Sequence, residues 1–148
     1  MANNPSLQVI ESTATVVDTC VILDILTRSA VWYDWSASAL AKAWDAGRLV
    51  INPLIYAEAS AGFNRIEHVD AALPPDVFTR EPLPYHAGFL AARAFAEYKR
   101  RGGTKRSPMP DFYIGAHAAV NRYQLLTRDQ GRFETYFPGV RLVTPENG

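Results

Sequence analysis

The chain has 148 residues, of which 48% are hydrophobic and 20% are charged, a composition typical of one globular domain. Fifteen basic residues balance fifteen acidic ones, so the protein has no net positive charge to attract nucleic acid. Any binding of nucleic acid would have to come from a local patch of positive charge. One cysteine excludes an internal disulfide. Because the sequence also shows no secretion signal and no apolar run of roughly 18 residues, we expect a cytoplasmic protein without a membrane span.

Short apolar strands alternate with helices along the chain. We expect residues 1–12 to be a loose lead-in and residues 13–148 to form the domain. The predicted strands are residues 13–17, 48–51, 124–127 and 140–143, with a further short strand expected within 76–84. The predicted helices are residues 20–27, 31–46, 52–63, a short helix after 64, 85–101 and 111–123. This order predicts an α/β domain with a mainly parallel sheet of four to five strands flanked by helices.

Several helix ends carry local signals. Gly47 stands where a C-cap belongs, and Asn52 followed by Pro53 is typical of a helix start. Asn64 with Glu67 three residues later matches a capping box. The long helix 85–101 is predicted to bury Phe89, Leu90, Ala92, Phe95 and Ala96.

Four acidic residues come from four distant segments that we expect to meet at one edge of the sheet. Asp18 follows the first strand, Asp129 follows the third, Asp111 begins a helix, and Glu58 lies two turns into the helix after the second strand. Ligands of open parallel sheets bind outside the carboxyl ends of the strands. Each acid alone is explained as a helix cap or a surface residue, but their joint placement favours a site. Asp24 is expected on another face of its helix, as an ordinary helix residue.

Carboxylates crowded together at low dielectric repel one another, and a hard divalent cation such as Mg²⁺ removes that penalty. The chemistry that such a site supports is hydrolysis of phosphodiester bonds by a metal-activated water.

A cluster of cations precedes Asp111 in the chain, namely Lys99, Arg100, Arg101, Lys105 and Arg106. These side chains are candidates for holding the phosphates of a nucleic acid, although cations are equally typical of a helix C-terminus. Nearby aromatic residues are candidates for stacking on bases, namely Tyr98, Phe112 and Tyr113.

Four segments together resemble the PIN domain and, more narrowly, the VapC toxins of bacterial and archaeal toxin–antitoxin pairs. They are "VVDTCVILDIL", "INPLIYAEA", "MPDFYIGAHAA" and "LLTRDQGRF". The resemblance implies an endoribonuclease that depends on Mg²⁺ or Mn²⁺, pairs as a homodimer, acts on RNA and is silenced by a cognate antitoxin. It implies that Asp18, Glu58, Asp111 and Asp129 are the catalytic, metal-binding acids and that Thr127 supports them. Cys20 departs from the family, which often has Asn or Ser there.

Other functions remain open at this point. The chain is alternatively a PIN-fold nuclease of RNA processing or of DNA, or a PIN-fold module that binds nucleic acid without cutting it. A response-regulator receiver is disfavoured because the sequence has no Lys-Pro pair, and an aspartate-nucleophile phosphatase is disfavoured because Cys20 stands where a second Asp is usual.

Overall fold

A computed structural model describes residues 13–104 and 109–145 of the protein, and five short parallel strands form its only described sheet. The strands are β1 (Thr15–Val17), β2 (Leu49–Ile51), β3 (Phe78–Arg80), β4 (Gln124–Leu126) and β5 (Leu142–Val143). The helices within the described residues are α1 (Thr19–Leu26), α2 (Tyr33–Ala46), α3 (Pro53–Ser60), α4 (Ile66–Ala72), α5 (Tyr85–Arg100), α6 (Met109–Asn121) and α7 (Gln130–Tyr136). The predicted α/β class and parallel sheet are confirmed, and β3 is the short strand expected within 76–84.

The strand order β3-β2-β1-β4-β5 places a topological switch point between β1 and β4. From β1 the chain adds β2 and β3 on one side, and it then crosses back to add β4 and β5 on the other. Val16 pairs with Val50 of β2 and with Leu125 of β4. Ligands of doubly wound sheets bind at such a point, outside the carboxyl ends of the strands.

Helices cover both faces of the central strands. All three residues of β1 and all three of β2 are buried. Because successive side chains of a strand point to opposite faces, burial of consecutive residues requires a cover on each side. This burial fixes β1 rigidly and therefore fixes the position of the residue that follows it.

The caps of two helices agree with the sequence signals, and those of a third do not. Asn52 caps α3 with Pro53 at its first position, and Gly47 ends α2. The predicted capping box at Asn64 is wrong: α4 begins at Ile66 without a side-chain cap, and Glu67 instead forms an ion pair with Arg65 at 3.2 Å.

Helix α5 buries a different face from the predicted one. Its buried residues are Ala87, Ala91 and Ala94, at four- and three-residue steps, whereas Phe89 is 64% exposed. Ala92 and Ala96 are also exposed, and Leu90 and Phe95 are only half-buried. The reason is close packing of α5 on α6, for which a stripe of small residues is better suited than bulky ones.

Some predictions fall outside the described residues, namely the lead-in 1–12, Lys105 and Arg106. In the part of the chain that is described, no helix is both long and apolar enough to cross a membrane.

Candidate active site

Asp18 stands directly after β1 and serves both as a helix cap and as a wall of a cleft. Its Oδ1 accepts a hydrogen bond from the backbone N–H of Thr19 at 2.8 Å, which caps α1. Its Oδ2 accepts from the hydroxyl of Thr127 at 2.7 Å, across the switch point between β1 and β4. The side chain is therefore held by the first residue of α1 and by the residue that follows β4.

The environment of Asp18 disfavours its charged form. Its pKa is raised from an ordinary 3.8 to about 6, first by burial and to a smaller extent by the charge of Asp111, although hydrogen bonds from Thr127, Cys20 and Thr19 act the other way. A carboxylate with a raised pKa near other acids is typical of functional sites, because structure alone gains nothing from it.

Glu58 reaches the same cleft from α3. The residue is exposed, and its Oε1 accepts from the Thr19 hydroxyl at 2.6 Å. Helix α3 is anchored at its start, where Asn52 Oδ1 accepts two backbone N–H groups. The Asn52 amide therefore donates to Nδ1 of the buried His117 at 3.0 Å, which leaves Nε2–H to donate to Glu81 at 3.2 Å.

Asp111 and Asp129 share an arginine that the sequence analysis did not single out. Arg132 Nη1 lies 2.9 Å from Asp111 Oδ2, and its Nε lies 3.9 Å from Asp129 Oδ2. Asp129 caps α7 by accepting from the backbone N–H of Arg132 at 3.3 Å. The Asp129 backbone N–H donates in turn to Thr127 Oγ1 at 3.0 Å, so Thr127 links the loops after β1 and β4.

The four predicted acids line one open cleft of about 580 Å³. Its other lining residues are Thr19, Cys20, Leu23 and Arg128. The structure thus brings Asp18, Glu58, Asp111 and Asp129 together at the carboxyl edge of the sheet, where the order of strands and helices had placed them.

The donors of this cleft suit a hard divalent cation. Among residues 13–104 and 109–145, no three His, Cys, Asp or Glu side chains are grouped closely enough to hold a metal ion as they stand. All four acids nevertheless offer carboxylate oxygens, and Mg²⁺ usually takes one or two protein carboxylates while it keeps several waters. Burial, and to a smaller extent the charge of Asp111, raises the pKa of Asp18, and a bound cation would stabilise its charged form.

Cys20, the departure from the family pattern, contacts the same acid. Its Sγ lies 3.5 Å from Asp18 Oδ2 and 3.9 Å from Thr127 Oγ1. Burial, and secondly the charge of Asp18, raises the pKa of the thiol to about 12. The thiol therefore stays protonated at neutral pH and donates a weak hydrogen bond to Asp18, which is not the state of a nucleophile.

Asp24 is not an ordinary helix residue, although it lies outside the cleft as expected. The side chain is buried and accepts two hydrogen bonds from Arg128, at 2.7 and 3.0 Å, and one from Ser36 at 2.7 Å. This ion pair ties α1 and α2 to the loop that carries Asp129. No local pattern reveals such a pairing, because its partners are distant in sequence.

The predicted basic cluster is only partly described. Arg100 and Arg101 both form ion pairs with Glu97, the second at 2.7 Å, and neither lines the acidic cleft. Phe112 is completely buried, so the expectation that it stacks on bases is wrong. The aromatic rings around Phe112 instead build the core beneath the site.

A parallel α/β domain with a carboxylate-lined cleft at the switch point of its sheet is the class of protein that these observations define. The family model of the PIN domain matches residues 15–137, and the chain belongs to this family. None of the curated proteins compared with the sequence matches it.

Several solved structures share the fold. VapBC2 from Rickettsia felis, bound to a DNA fragment from its promoter, superposes with a TM-score of 0.69 at 14% identity over 89% of this chain and 98% of that chain. A toxin–antitoxin complex from Klebsiella pneumoniae gives 0.66 at 23% identity over 88% and 97%. FitAcB from Neisseria gonorrhoeae gives 0.65 at 18% identity over 90% and 99%. These identities are low, so the likeness shows the fold alone.

Proposed function

We propose that this chain is a metal-dependent endoribonuclease and the toxin of a toxin–antitoxin pair. The observation that carries the nuclease part is the convergence of four carboxylates, from four distant segments, on one open cleft at the switch point of the sheet. Burial of Asp18 among them raises its pKa and penalises its charged form, a cost that a bound cation would relieve.

Asp18, Glu58, Asp111 and Asp129 are the residues that would hold Mg²⁺ or Mn²⁺. A divalent cation there would supply a water of lowered pKa and would stabilise the charge that develops during phosphodiester hydrolysis. Thr127 orients Asp18 through the 2.7 Å hydrogen bond to Oδ2. Thr19 orients Glu58 in the same way.

RNA is the proposed substrate, and the cluster that ends α5 is the proposed contact with its backbone. Arg100 and Arg101 are exposed, and the chain adds Lys105 and Arg106 a few residues further on. A local group of cations compensates for the absence of a net positive charge on the whole protein.

A cognate antitoxin and a second copy of this chain are the proposed partners. Two of the similar structures are described as a VapBC complex and a toxin–antitoxin complex, and this chain matches nearly the full length of the compared chain in each. This supports a toxin role, since the likeness extends over 89% and 88% of this chain and is not confined to the sheet.

Incubation of total RNA with the purified protein tests the enzymatic proposal. We expect cleavage with Mg²⁺ or Mn²⁺, none with EDTA, and loss of cleavage in Asp18→Asn. Asp45→Asn, which changes an exposed carboxylate remote from the cleft, is the matched control and keeps full activity. Cleavage of DNA but not RNA would favour the alternative of a DNA nuclease, and equal cleavage by Asp18→Asn would show that the cleft is not the site.

Expression in a bacterial host tests the toxin role. The wild type is expected to arrest growth, and Asp18→Asn to be harmless at the same protein level. Growth that the wild type leaves unaffected, while the purified protein cuts RNA, would instead indicate an RNA-processing nuclease.

A further inference from the structure

Arg132 is the one cation of the described chain that bonds directly to two of the four acids. Its Nη1 lies 2.9 Å from Asp111 Oδ2 and its Nε 3.9 Å from Asp129 Oδ2. Arg128, which lines the cleft, is already engaged by Asp24 through two hydrogen bonds. Arg132 is therefore the internal counter-ion of this side of the cleft.

The position of Arg132 is held by packing and is not explained by its own helix. The side chain is only 11% exposed, and its guanidinium carbon lies 5.7 Å from the ring centre of Phe112 and 5.9 Å from that of Tyr98. An arginine in the first turn of a helix opposes the helix dipole, so α7 gains nothing from this charge. The aromatic rings hold the guanidinium next to Asp111 and Asp129, and its positive charge stabilises these two carboxylates.

Resting on the function proposed above, we infer that Arg132 is a positioning residue that competes with the divalent cation for Asp111 and so keeps the metal affinity of the cleft low. An arginine stays charged at any pH that a protein meets, so this competition cannot be relieved by deprotonation. A cation that uses the Asp111 carboxylate must share it with Arg132 or displace the guanidinium. Either route costs affinity, because two like charges then face one carboxylate.

In the metal-free protein, the charge of Arg132 stabilises the carboxylates that it would otherwise contest with the metal. Without Arg132, the carboxylates of Asp111 and Asp129 would line the cleft without this counter-ion. The guanidinium thus stabilises the empty site and gives up part of its bonding when the metal arrives. Substitution of Arg132 should therefore lower the stability of the metal-free protein and raise its metal affinity. Substitution of a purely structural residue would lower the stability without raising the metal affinity.

Arg132→Met is the test variant, because methionine keeps an apolar stem between the two rings and removes the charge. In EDTA we expect its melting temperature to fall. In a Mn²⁺ titration followed by thermal shift and calorimetry, we expect the variant to bind Mn²⁺ roughly tenfold more tightly than the wild type, the effect of one unit charge close to a partly exposed site. Arg132→Lys retains the charge and should stay near the wild-type affinity.

Arg141→Met is the matched control, since it removes one exposed positive charge at the opposite edge of the sheet and should leave Mn²⁺ affinity unchanged. An Arg132→Met variant that folds and binds Mn²⁺ no more tightly than the wild type overturns the inference. If the wild type also cuts RNA, the proposed function survives that result. A wild type that binds no Mn²⁺ and cuts no RNA overturns both.

The wild type alone provides a second measurement in case Arg132→Met fails to fold. The NMR signal of the Arg132 Nε–H group, assigned from its absence in Arg132→Lys, should shift when Mg²⁺ is added at concentrations that saturate the protein. An unchanged signal at saturation means that the metal does not disturb the Arg132–Asp111 pair and overturns the inference.

Discussion

Replacing Asp18 by asparagine should make the metal-free protein more stable at neutral and basic pH while it removes the proposed activity. The carboxylate is buried at the end of β1, and burial raises its pKa from 3.8 to about 6. Protonated Asp18 is therefore favoured by the folded state, and its charged form is penalised. Below pH 3.8 the group is protonated in both the folded and the unfolded chain, so its stabilising contribution is complete. That contribution is lost as the pH rises through 6, where the buried carboxyl of the folded protein becomes charged.

The magnitude follows from the size of the shift. A difference of about two pH units, at about 1.4 kcal/mol for each, means that ionised Asp18 costs the fold about 3 kcal/mol. Asparagine avoids this cost but loses the hydrogen bond that the Thr127 hydroxyl donates to Oδ2, worth about 1 kcal/mol. The expected net gain at pH 8 is about 2 kcal/mol, which raises the melting temperature of a chain of this length by about 4–8 °C.

Thermal unfolding of wild type and Asp18→Asn in EDTA, from pH 4 to pH 8, measures this gain. The difference between the two melting temperatures should be close to zero at pH 4, grow up to about pH 6 and then stay constant. Asp45→Asn should match the wild type throughout. A variant that is no more stable than the wild type at pH 8, or a gain that is the same at pH 4, would refute the assignment of a buried, penalised carboxylate to Asp18.

Three further predictions concern packing and caps, and urea denaturation measures each of them. Asp24→Ala leaves the charge of Arg128 without its partner and should cost about 3 kcal/mol; a loss under 1 kcal/mol would mean that water replaces the carboxylate. Asn52→Ala removes the cap of α3 and should cost about 2 kcal/mol, and an unchanged midpoint would contradict the role of the cap. Gly115→Ala places a methyl group 2.5 Å from Cδ2 of Phe137 and should cost about 1–3 kcal/mol; a stabilised variant would show that the ring yields easily.

The fold and the four acids could be predicted because the signals for them are local. Alternation of short apolar strands with helices indicates a parallel sheet wherever it occurs, and a parallel sheet brings its carboxyl ends to one edge. Asp18 directly follows β1 and Asp129 lies three residues after β4, so a parallel sheet brings both to its carboxyl edge. Even the cap at Asn52 is encoded in two adjacent residues.

Side-chain pairing across the fold could not be predicted, because it joins residues that no period or spacing connects. The Asp24–Arg128 pair and the Arg132–Asp111 pair depend on how helices rest on the sheet. The buried face of α5 was wrongly predicted for a related reason: bulk suggested Phe89, whereas close contact with α6 requires small residues such as Ala91. Arg132 lies in the first turn of α7, a helix that was not among the predicted elements, so its position against the helix dipole gave no signal in the sequence.

The most direct test of the central claim is the rate of cleavage of one labelled single-stranded RNA by protein stripped with EDTA and then supplied with Mg²⁺. We expect that stripped protein is inactive and that Mg²⁺ restores cleavage. We also expect four variants each to lower the restored rate by at least about a hundredfold, namely Asp18→Asn, Glu58→Gln, Asp111→Asn and Asp129→Asn. Stripped protein that cuts as fast as the Mg²⁺-loaded protein, or variants of all four acids that keep the wild-type rate, would contradict the central claim.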